Sequence, residues 1–383
     1  MTNNRGSNNN NMLITLALMA LVVLGWQYFV VRPEMKSEQA HQAALAHQEK
    51  ATPGVAAPAA NVPAMAMSST HMSRDAALKA EGGRVAIDSP LLDGSIALKG
   101  AKFDDLRLKK YRETTDPKSP EIVLLAPKST DYPYYAEFGW VGAPGSNNDM
   151  PNDQSMWQQQ GSGALSPGHP VTLTWDNGHG LTFTRVISVD DQYMFNIADS
   201  VANHSASAET LYPFAYVARE GVPKEPTSYV LHQGFVGVAN GSETDANYSD
   251  FKDAGTPAKT FSSTGGWVGI TDKYWMAAVV PPQNQKFDAS YLGSTTANDV
   301  KAYQADYRLP ARQIAPGASA QVTHRLFAGA KVVDILRGYE KSQGIARFDN
   351  AVDWGWFWFL TQPLFWLLDF FYKLIGNFGI AIL

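Results

Sequence analysis

Cysteine is absent from the 383 residues of this sequence. The absence excludes disulfide bridges, cysteine-ligated zinc, iron–sulfur clusters and catalytic thiols, because each of these needs a cysteine sulfur. It does not decide the compartment, since a large domain outside the cytoplasm can fold without disulfides. Cations are also scarce: 31 Lys and Arg stand against 36 Asp and Glu, for a formal net charge of −5. A nucleic-acid-binding protein, which needs a clustered basic face, is therefore not expected.

Charged residues are also few, and the common catalytic motifs are absent. Charged residues make up 17% of the chain, below the usual share of about 25%. The sequence contains no GxSxG elbow, HExxH motif or P-loop, and no GxGxxG between a strand and a helix. Hydrophobic residues reach 45%, yet the mean hydropathy is only −0.22. The apolar residues are therefore expected to be concentrated in a few segments.

The first concentration is an uncharged run of 20 residues, Met12 to Val31. As a helix it would span about 30 Å, the thickness of the hydrocarbon core of a bilayer. A cleaved signal peptide is the alternative, but the residues after Gly25 are bulky rather than small. The run therefore predicts an uncleaved transmembrane signal anchor, with residues 1–11 as a cytoplasmic leader. The count of flanking cations does not settle the orientation.

Residues 32–83 are predicted to be a low-complexity linker. Ala, Gln, Pro, Met, Ser and His dominate, and large β-branched and aromatic residues are almost missing. Little apolar area is available to offset the entropy of ordering such a segment. His41, His47 and His71 lie here, but their spacing matches no known metal site, and no metal is expected.

Residues 84–330 show alternating apolar and polar positions, interrupted by Gly, Pro, Asn and Asp. In one such segment a single face carries Leu181, Phe183, Arg185, Ile187 and Val189. This period of two, with frequent turn signals, predicts an all-β sandwich or barrel. No fixed repeat indicates a propeller. A helical stripe in 331–341 then predicts a closing helix, within a connection that covers 331–353.

The second concentration of apolar residues is the C-terminal segment 354–383, whose only charges are Asp369 and Lys373. Pro363 suits the first turn of a helix, and the Gly376–Asn377 pair suits its end. A helix over 363–375 would be about 20 Å long, too short to cross a bilayer. The acid and the lysine are spaced to pair on one face.

These features predict an aromatic and amphipathic helix that lies in the membrane interface over 354–376. The alternative, a helix buried in a soluble core, is disfavoured by the many adjacent aromatic residues. The segment 377–383 is expected to begin a second transmembrane helix, so the sequence is expected to be cut from a longer protein. The residues predicted to meet the membrane are Trp354, Trp356, Trp358, Phe359, Pro363, Phe365, Trp366, Asp369 and Lys373.

The C-terminal segment resembles the join between the periplasmic domain and the membrane core of the bacterial YidC/Oxa1/Alb3 insertase family. Besides the aromatic residues named above, the matching positions are Asp353, Gly355, Gln362, Leu364, Gly376, Asn377, Phe378 and Gly379. The stretches 99–114 and 265–282 resemble the start and the later part of the family's periplasmic domain.

The resemblance implies a galactose mutarotase-like β-supersandwich in the periplasm, within a multi-pass inner-membrane protein that has residues 32–353 on the periplasmic side. The implied function is the insertion, folding and assembly of inner-membrane proteins, alone or with the Sec translocon. The implied partners are nascent membrane proteins, the Sec translocon, SecD–SecF and the bilayer, with no nucleic acid, cofactor, metal or catalytic residue. The family's hydrophilic groove and its Arg would follow residue 383, so these residues alone are not expected to insert proteins.

Two other functions stay open. A membrane-tethered carbohydrate-binding or mutarotase-like module would need a His and a carboxylate in one cleft. His232 is the best candidate among His169, His179, His204, His232 and His324, although a plain structural role is far more common. A docking role for the β domain is the other possibility. Tyr132, Tyr134 and Tyr135 could form an exposed patch, but alternating core and rim positions suit them better.

Overall fold

The computed structural model describes residues 62–64, 71–146, 149–222, 231–251, 257–295, 300–355 and 357–382. All of them belong to one compact unit that spans residues 58–383. The predicted anchor at 12–31 and most of the predicted linker lie outside the described residues, as does Trp356.

Twenty strands dominate the described part of the chain, and they run from Arg84 to Ala330. The first ten are β1 (Arg84–Asp88), β2 (Leu92–Ala97), β3 (Phe103–Arg112), β4 (Glu121–Leu125), β5 (Tyr134–Gly142), β6 (Gln158–Gln160), β7 (Val171–Asp176), β8 (Leu181–Val189), β9 (Met194–Asn203) and β10 (Glu209–Glu220). The others are β11 (Gly234–Ala239), β12 (Ser242–Glu243), β13 (Ala246–Asn247), β14 (Pro257–Thr264), β15 (Gly266–Thr271), β16 (Trp275–Val280), β17 (Lys286–Thr295), β18 (Lys301–Arg308), β19 (Arg312–Ile314) and β20 (Ser319–Ala330).

The strands form two antiparallel sheets of ten strands each. Sheet one has the order β1-β2-β3-β5-β10-β18-β17-β14, with β4 beside β3 and β19 beside β10. Sheet two has the order β12-β11-β15-β16-β20-β9-β8-β7-β6, with β13 beside β11. Two facing sheets of this size confirm the predicted mainly β fold and its large sandwich form.

Alternation along the strands explains the core between the sheets. Strand β8 alternates buried and partly exposed positions along its whole length, as a strand with one face on the core must. Its buried face includes one charged residue, Arg185, which is 1% exposed. The Arg185 guanidinium forms two hydrogen bonds to the Asp199 carboxylate, at 2.7 and 2.8 Å. It also donates to the carbonyl of Phe138 in sheet one at 2.7 Å, so this side chain links the two sheets.

Four helices lie outside the sandwich strands in the described residues: α1 (Arg74–Ala80), α2 (Val333–Gln343), α3 (Trp358–Ile375) and α4 (Phe378–Ile382). Short 3₁₀ turns occur at Tyr248–Asp250 and Phe348–Ala351. Helix α1 corrects one expectation, because it lies inside the predicted linker. Its composition offers little to bury, but Arg74 forms an ion pair with Asp105 of β3, and Ala77 is fully buried.

The closing helix α2 begins at Val333 and ends at Gln343, two residues later at each end than the apolar stripe indicates. It buries Val333, Leu336 and Tyr339 against the sandwich. Within the part of the chain that the structure describes, no helix combines the length and apolar character needed to cross a membrane.

Candidate membrane-interface site

The start of helix α3 differs from the sequence-based expectation. The expected helix began at Pro363, whereas α3 begins at Trp358 and contains Pro363 as an internal residue. The reason is a turn just before the helix: the main-chain N–H of Gly355 donates to Asp353 Oδ1 at 2.8 Å. Gly355 has a φ of +68°, which favours glycine, and its carbonyl accepts from the N–H of Trp358 at 3.1 Å. The 18 residues of α3 therefore span about 27 Å.

Asp353 also attaches the start of this helix to the sandwich. Its second carboxylate oxygen, Oδ2, accepts from the main-chain N–H of His232 at 2.8 Å, just before β11. One side chain thus closes the turn before α3 and joins that turn to sheet two. Because α3 has 18 residues instead of the expected thirteen, its charged residues are a stronger reason against crossing a bilayer than its length.

The end of α3 is defined by glycine and asparagine. Gly376 follows the helix with a φ of +73°, and its N–H donates to the carbonyl of Tyr372 at 2.7 Å. Asn377 Oδ1 accepts from the N–H of Ile380 at 3.3 Å, so Asn377 caps the short helix α4. Gly379 lies within α4. These residues separate two helices and allow the chain to change direction between them.

One face of α3 carries its polar contacts. Gln362, Trp366, Asp369 and Lys373 are spaced by four, three and four residues, so they line a single face. Lys373 Nζ lies 2.7 Å from Asp369 Oδ2 and 2.8 Å from Asp334 Oδ2 of α2. The two carboxylates, with the Asp334 hydrogen bond as the larger cause, raise the pKa of Lys373. Lys373 is therefore a cation across the whole physiological pH range.

Aromatic contacts hold the same face near α2. The guanidinium carbon of Arg337 lies 4.7 Å from the ring centroid of Trp366, within the range of a cation–π interaction. Arg337 also pairs with Asp349 at 3.1 Å, which restrains its side chain. The rings of Trp354 and Phe365 meet edge to face at 5.4 Å. The polar face of α3 is thus directed toward the protein.

The opposite face of α3 is apolar and open. Its residues, with their exposed fractions, are Leu360 (50%), Leu364 (48%), Leu367 (51%), Phe371 (37%) and Leu374 (72%). No residue among the described positions of α3 is buried. Soluble surfaces rarely present a continuous apolar stripe of this kind, whereas a membrane interface favours it. The structure therefore does not support the alternative of a helix buried in a soluble core.

The other predicted interface residues lie along the same helix or its entry. Trp354, Trp358, Phe359 and Pro363 are partly buried, and Phe365 is exposed. Two residues of α2 that contact α3, Asp334 and Arg337, were not predicted from the sequence. Their three-residue spacing on the exposed side of a predicted amphipathic helix was the available signal.

The ring of His232 does not form the pair with a carboxylate that sugar chemistry would need. Its Nε2 lies 2.7 Å from the carbonyl of Phe235, and the nearby Asp353 carboxylate binds its main-chain N–H instead of its ring. His324 is fully buried in the sandwich, where its Nδ1 lies 2.6 Å from the hydroxyl of Tyr307. Among the described residues, no group of three or more His, Asp or Glu is arranged to hold a metal ion.

The three tyrosines do not form an exposed patch. Tyr134 and Tyr135 are buried on opposite faces of β5, and only Tyr132 is exposed. They occupy alternating positions, as the strand pattern suggests.

The described architecture defines a class: a large antiparallel β-sandwich that leads into an amphipathic helix with an exposed apolar face. Residues 84–367 match the family described as the YidC periplasmic domain. The chain belongs to the YidC family.

Relatives with the name membrane protein insertase YidC align with nearly the whole chain. The relative from Methylobacterium radiotolerans is 46% identical over 400 residues, which cover 99% of this chain and 64% of the relative. The relative from Rhizobium meliloti is 46% identical over 382 residues, which cover 98% of this chain and 63% of the relative. The chain thus spans about 64% of the length of the curated relatives it matches.

Solved structures also match this chain at low similarity. A galactose mutarotase-like protein from Lactobacillus casei has a TM-score of 0.42 and 10% identity, and the match covers 64% of this chain and all of that one. A family 36 α-galactosidase from Geobacillus stearothermophilus has a TM-score of 0.35 and 9% identity, with 65% of this chain and 41% of that chain covered.

Proposed function

We propose that this chain is the anchor, periplasmic domain and interfacial helix of an insertase in the bacterial inner membrane. The observation that carries the proposal is the exposed apolar face of α3, opposite a face that contacts α2. Membership of the YidC family and the names of the relatives support the insertase activity. In this arrangement the sandwich lies in the periplasm and α3 lies along the outer surface of the membrane.

The charges of α3 support an interfacial position over a transmembrane one. A charged side chain at the centre of a bilayer costs roughly 2.5–3.5 kcal/mol on insertion scales. With the Leu360–Leu374 face toward the acyl chains, Asp369 and Lys373 point away from them, and Lys373 remains paired with both Asp369 and Asp334. The helix then contacts lipid on one side and helix α2 on the other.

Within the proposed insertase, α3 would transmit the position of the sandwich to the membrane helices. The substrates would be nascent inner-membrane proteins, with the Sec translocon and SecD–SecF as further partners. Family membership is the support for these partners. The sandwich and α3 would position the machinery.

Single fluorescent labels can test the position of α3, because the chain has no cysteine to compete for them. Leu367→Cys and Gln362→Cys, each labelled with an environment-sensitive dye in the full chain in liposomes, place the dye on opposite faces. We expect blue-shifted emission, quenched by shallow lipid-attached quenchers, from position 367 only. Equal emission from both positions, or quenching of both by deep quenchers, would contradict the interfacial position.

Insertion itself can be measured separately. Proteoliposomes that contain the complete reading frame should protect a single-span substrate from added protease. Leu367→Glu should lower the protected fraction, while Gln362→Glu, on the polar face, should leave it unchanged. Equal protection in empty liposomes would reject the proposed activity.

A further inference from the structure

Sheet one carries a second apolar cluster on its outer face, away from the core. This outer-face cluster consists of Tyr135, Phe214, Tyr216, Ala218 and Ala302, each 5% exposed or less. The outer face of an antiparallel sheet normally meets water and carries polar residues. An aromatic cluster buried on that face must therefore be covered by other residues of the chain.

The strand register brings two polar side chains to the same place. Ala218 of β10 pairs with Gln304 of β18, and Tyr216 pairs with Asp306. Gln304 and Asp306 are 1% and 3% exposed, so both are buried beside the aromatic rings. A buried amide needs partners for both of its N–H groups, because an unpaired one costs about 1–3 kcal/mol.

The chain itself supplies the second of these partners. Gln304 Nε2 donates to Asp306 Oδ2 at 3.0 Å and to the main-chain carbonyl of Pro63 at 3.2 Å. Asp306 also accepts from Ser290 Oγ at 2.7 Å, which holds the carboxylate that orients the amide. Val62, just before the proline, packs against the outer-face cluster.

We propose that the outer face of sheet one is a recognition site for an extended peptide with an aliphatic residue followed by proline. Its occupant in this chain is the segment 62–64 of the chain's own N-terminal region. Proline favours the extended conformation before binding, so ordering the segment costs little conformational entropy. Gln304 binds the segment by donating a hydrogen bond to a main-chain carbonyl. The aliphatic residue fills the space over the aromatic rings.

The consequence concerns the connection between the N-terminal region and the sandwich. The path of the chain would be fixed at the middle strands of sheet one, by Val62 and Pro63, before it reaches β1 at Arg84. The site is independent of the proposed insertase activity, since it uses neither α3 nor the membrane.

The absence of native cysteine allows a direct test in the full chain in detergent. Val62→Cys should react with a maleimide about tenfold more slowly than Lys118→Cys, at an exposed position between β3 and β4. Gln304→Ala should bring the rate at position 62 close to that at position 118. Gln158→Ala, an exposed glutamine of sheet two, should leave the slow rate unchanged. Equal rates at positions 62 and 118 would overturn the proposal.

A peptide experiment does not depend on the folding of the Gln304 variant. A labelled peptide of residues 58–68, PAANVPAMAMS, should bind the Val62→Asp chain more tightly than the unchanged chain, whose own segment competes. The same peptide with Asp at the position of Val62 should bind neither. Failure to bind the Val62→Asp chain, or equal binding of both peptides, would reject the site.

Discussion

Lys373 Nζ lies 2.8 Å from Asp334 Oδ2, across 39 positions of sequence, and this contact joins the polar face of α3 to helix α2. Both side chains are more than half exposed, so solvent screens their attraction. The contact therefore contributes orientation more than stability. With Arg337 over the ring of Trp366, it selects which face of α3 is turned away from the sandwich.

Removal of this pair should loosen α3 without unfolding the sandwich. In Asp334→Asn we expect faster amide hydrogen exchange over 366–375, because Lys373 retains only Asp369, and an unchanged melting temperature. Asp191→Asn, on an exposed turn between β8 and β9, is the control and should change neither quantity. Unchanged exchange in Asp334→Asn would show that the pair does not restrain the helix.

The buried pair of Arg185 and Asp199 should contribute much more to the free energy of unfolding than the exposed Asp334–Lys373 pair. Arg185→Met leaves the Asp199 carboxylate, 2% exposed, without its two guanidinium hydrogen bonds. Loss of one partner of a buried pair costs roughly 3–5 kcal/mol. Urea unfolding should show this loss, together with loss of the link to Phe138 of sheet one.

Two further variants separate charge from packing. Arg185→Met with Asp199→Leu removes both charges and should recover much of the lost free energy of unfolding, because no unpaired carboxylate remains. Arg112→Met breaks a long, partly exposed pair with Glu121 and should change the free energy of unfolding little. If Arg185→Met were no more destabilising than Arg112→Met, the buried pair would not be the link between the sheets.

The sheets could be predicted from the sequence because strand alternation is a local signal. The buried face of β8, including Arg185, follows from residues 181–189 alone, and the end of α3 follows from Gly376 and Asn377. The start of α3 could not be predicted from Pro363, since it depends on a turn that Asp353 closes. The composition around α1 predicted a linker. The helix could not be predicted because the residue that stabilises it, Asp105, lies on a strand distant in sequence.

The contacts that define the site also join residues that are far apart in the sequence. Asp334–Lys373 and Gln304–Pro63 join residues that are 39 and 241 positions apart. Their side chains are ordinary surface types in the sequence, and only the folded register brings them together. Helical spacing could have indicated the two faces of α3, but not which face meets α2.

The turn before α3 should depend on both oxygens of Asp353. Asp353→Ala removes the acceptors of the Gly355 and His232 N–H groups, and should cost about 1–3 kcal/mol of unfolding free energy. Hydrogen exchange should accelerate at these two amides first. Asp353→Asn keeps one acceptor oxygen and should have an intermediate effect. If Ala and Asn behaved alike, the two-sided contact of Asp353 would not hold the turn.

His324 should make the stability of the sandwich sensitive to acid. Burial lowers the pKa of His324 from the usual 6.5 to about 4, because the charged ring would lose its water. Between these values the unfolded chain binds a proton that the folded chain does not, so stability falls as the pH drops below 6.5. From pH 7 to pH 5 this loss should be on the order of 2 kcal/mol, at about 1.4 kcal/mol per pH unit.

Comparison with His324→Gln isolates this contribution from other titrating groups. Burial raises the pKa of Asp306 to about 6, which acts in the opposite direction over the same range, but it acts equally in both chains. Urea midpoints at pH 7 and pH 5 should therefore fall further in the unchanged chain than in His324→Gln. An equal fall in both would mean that His324 takes up its proton in the folded sandwich, and that its burial does not control the acid sensitivity.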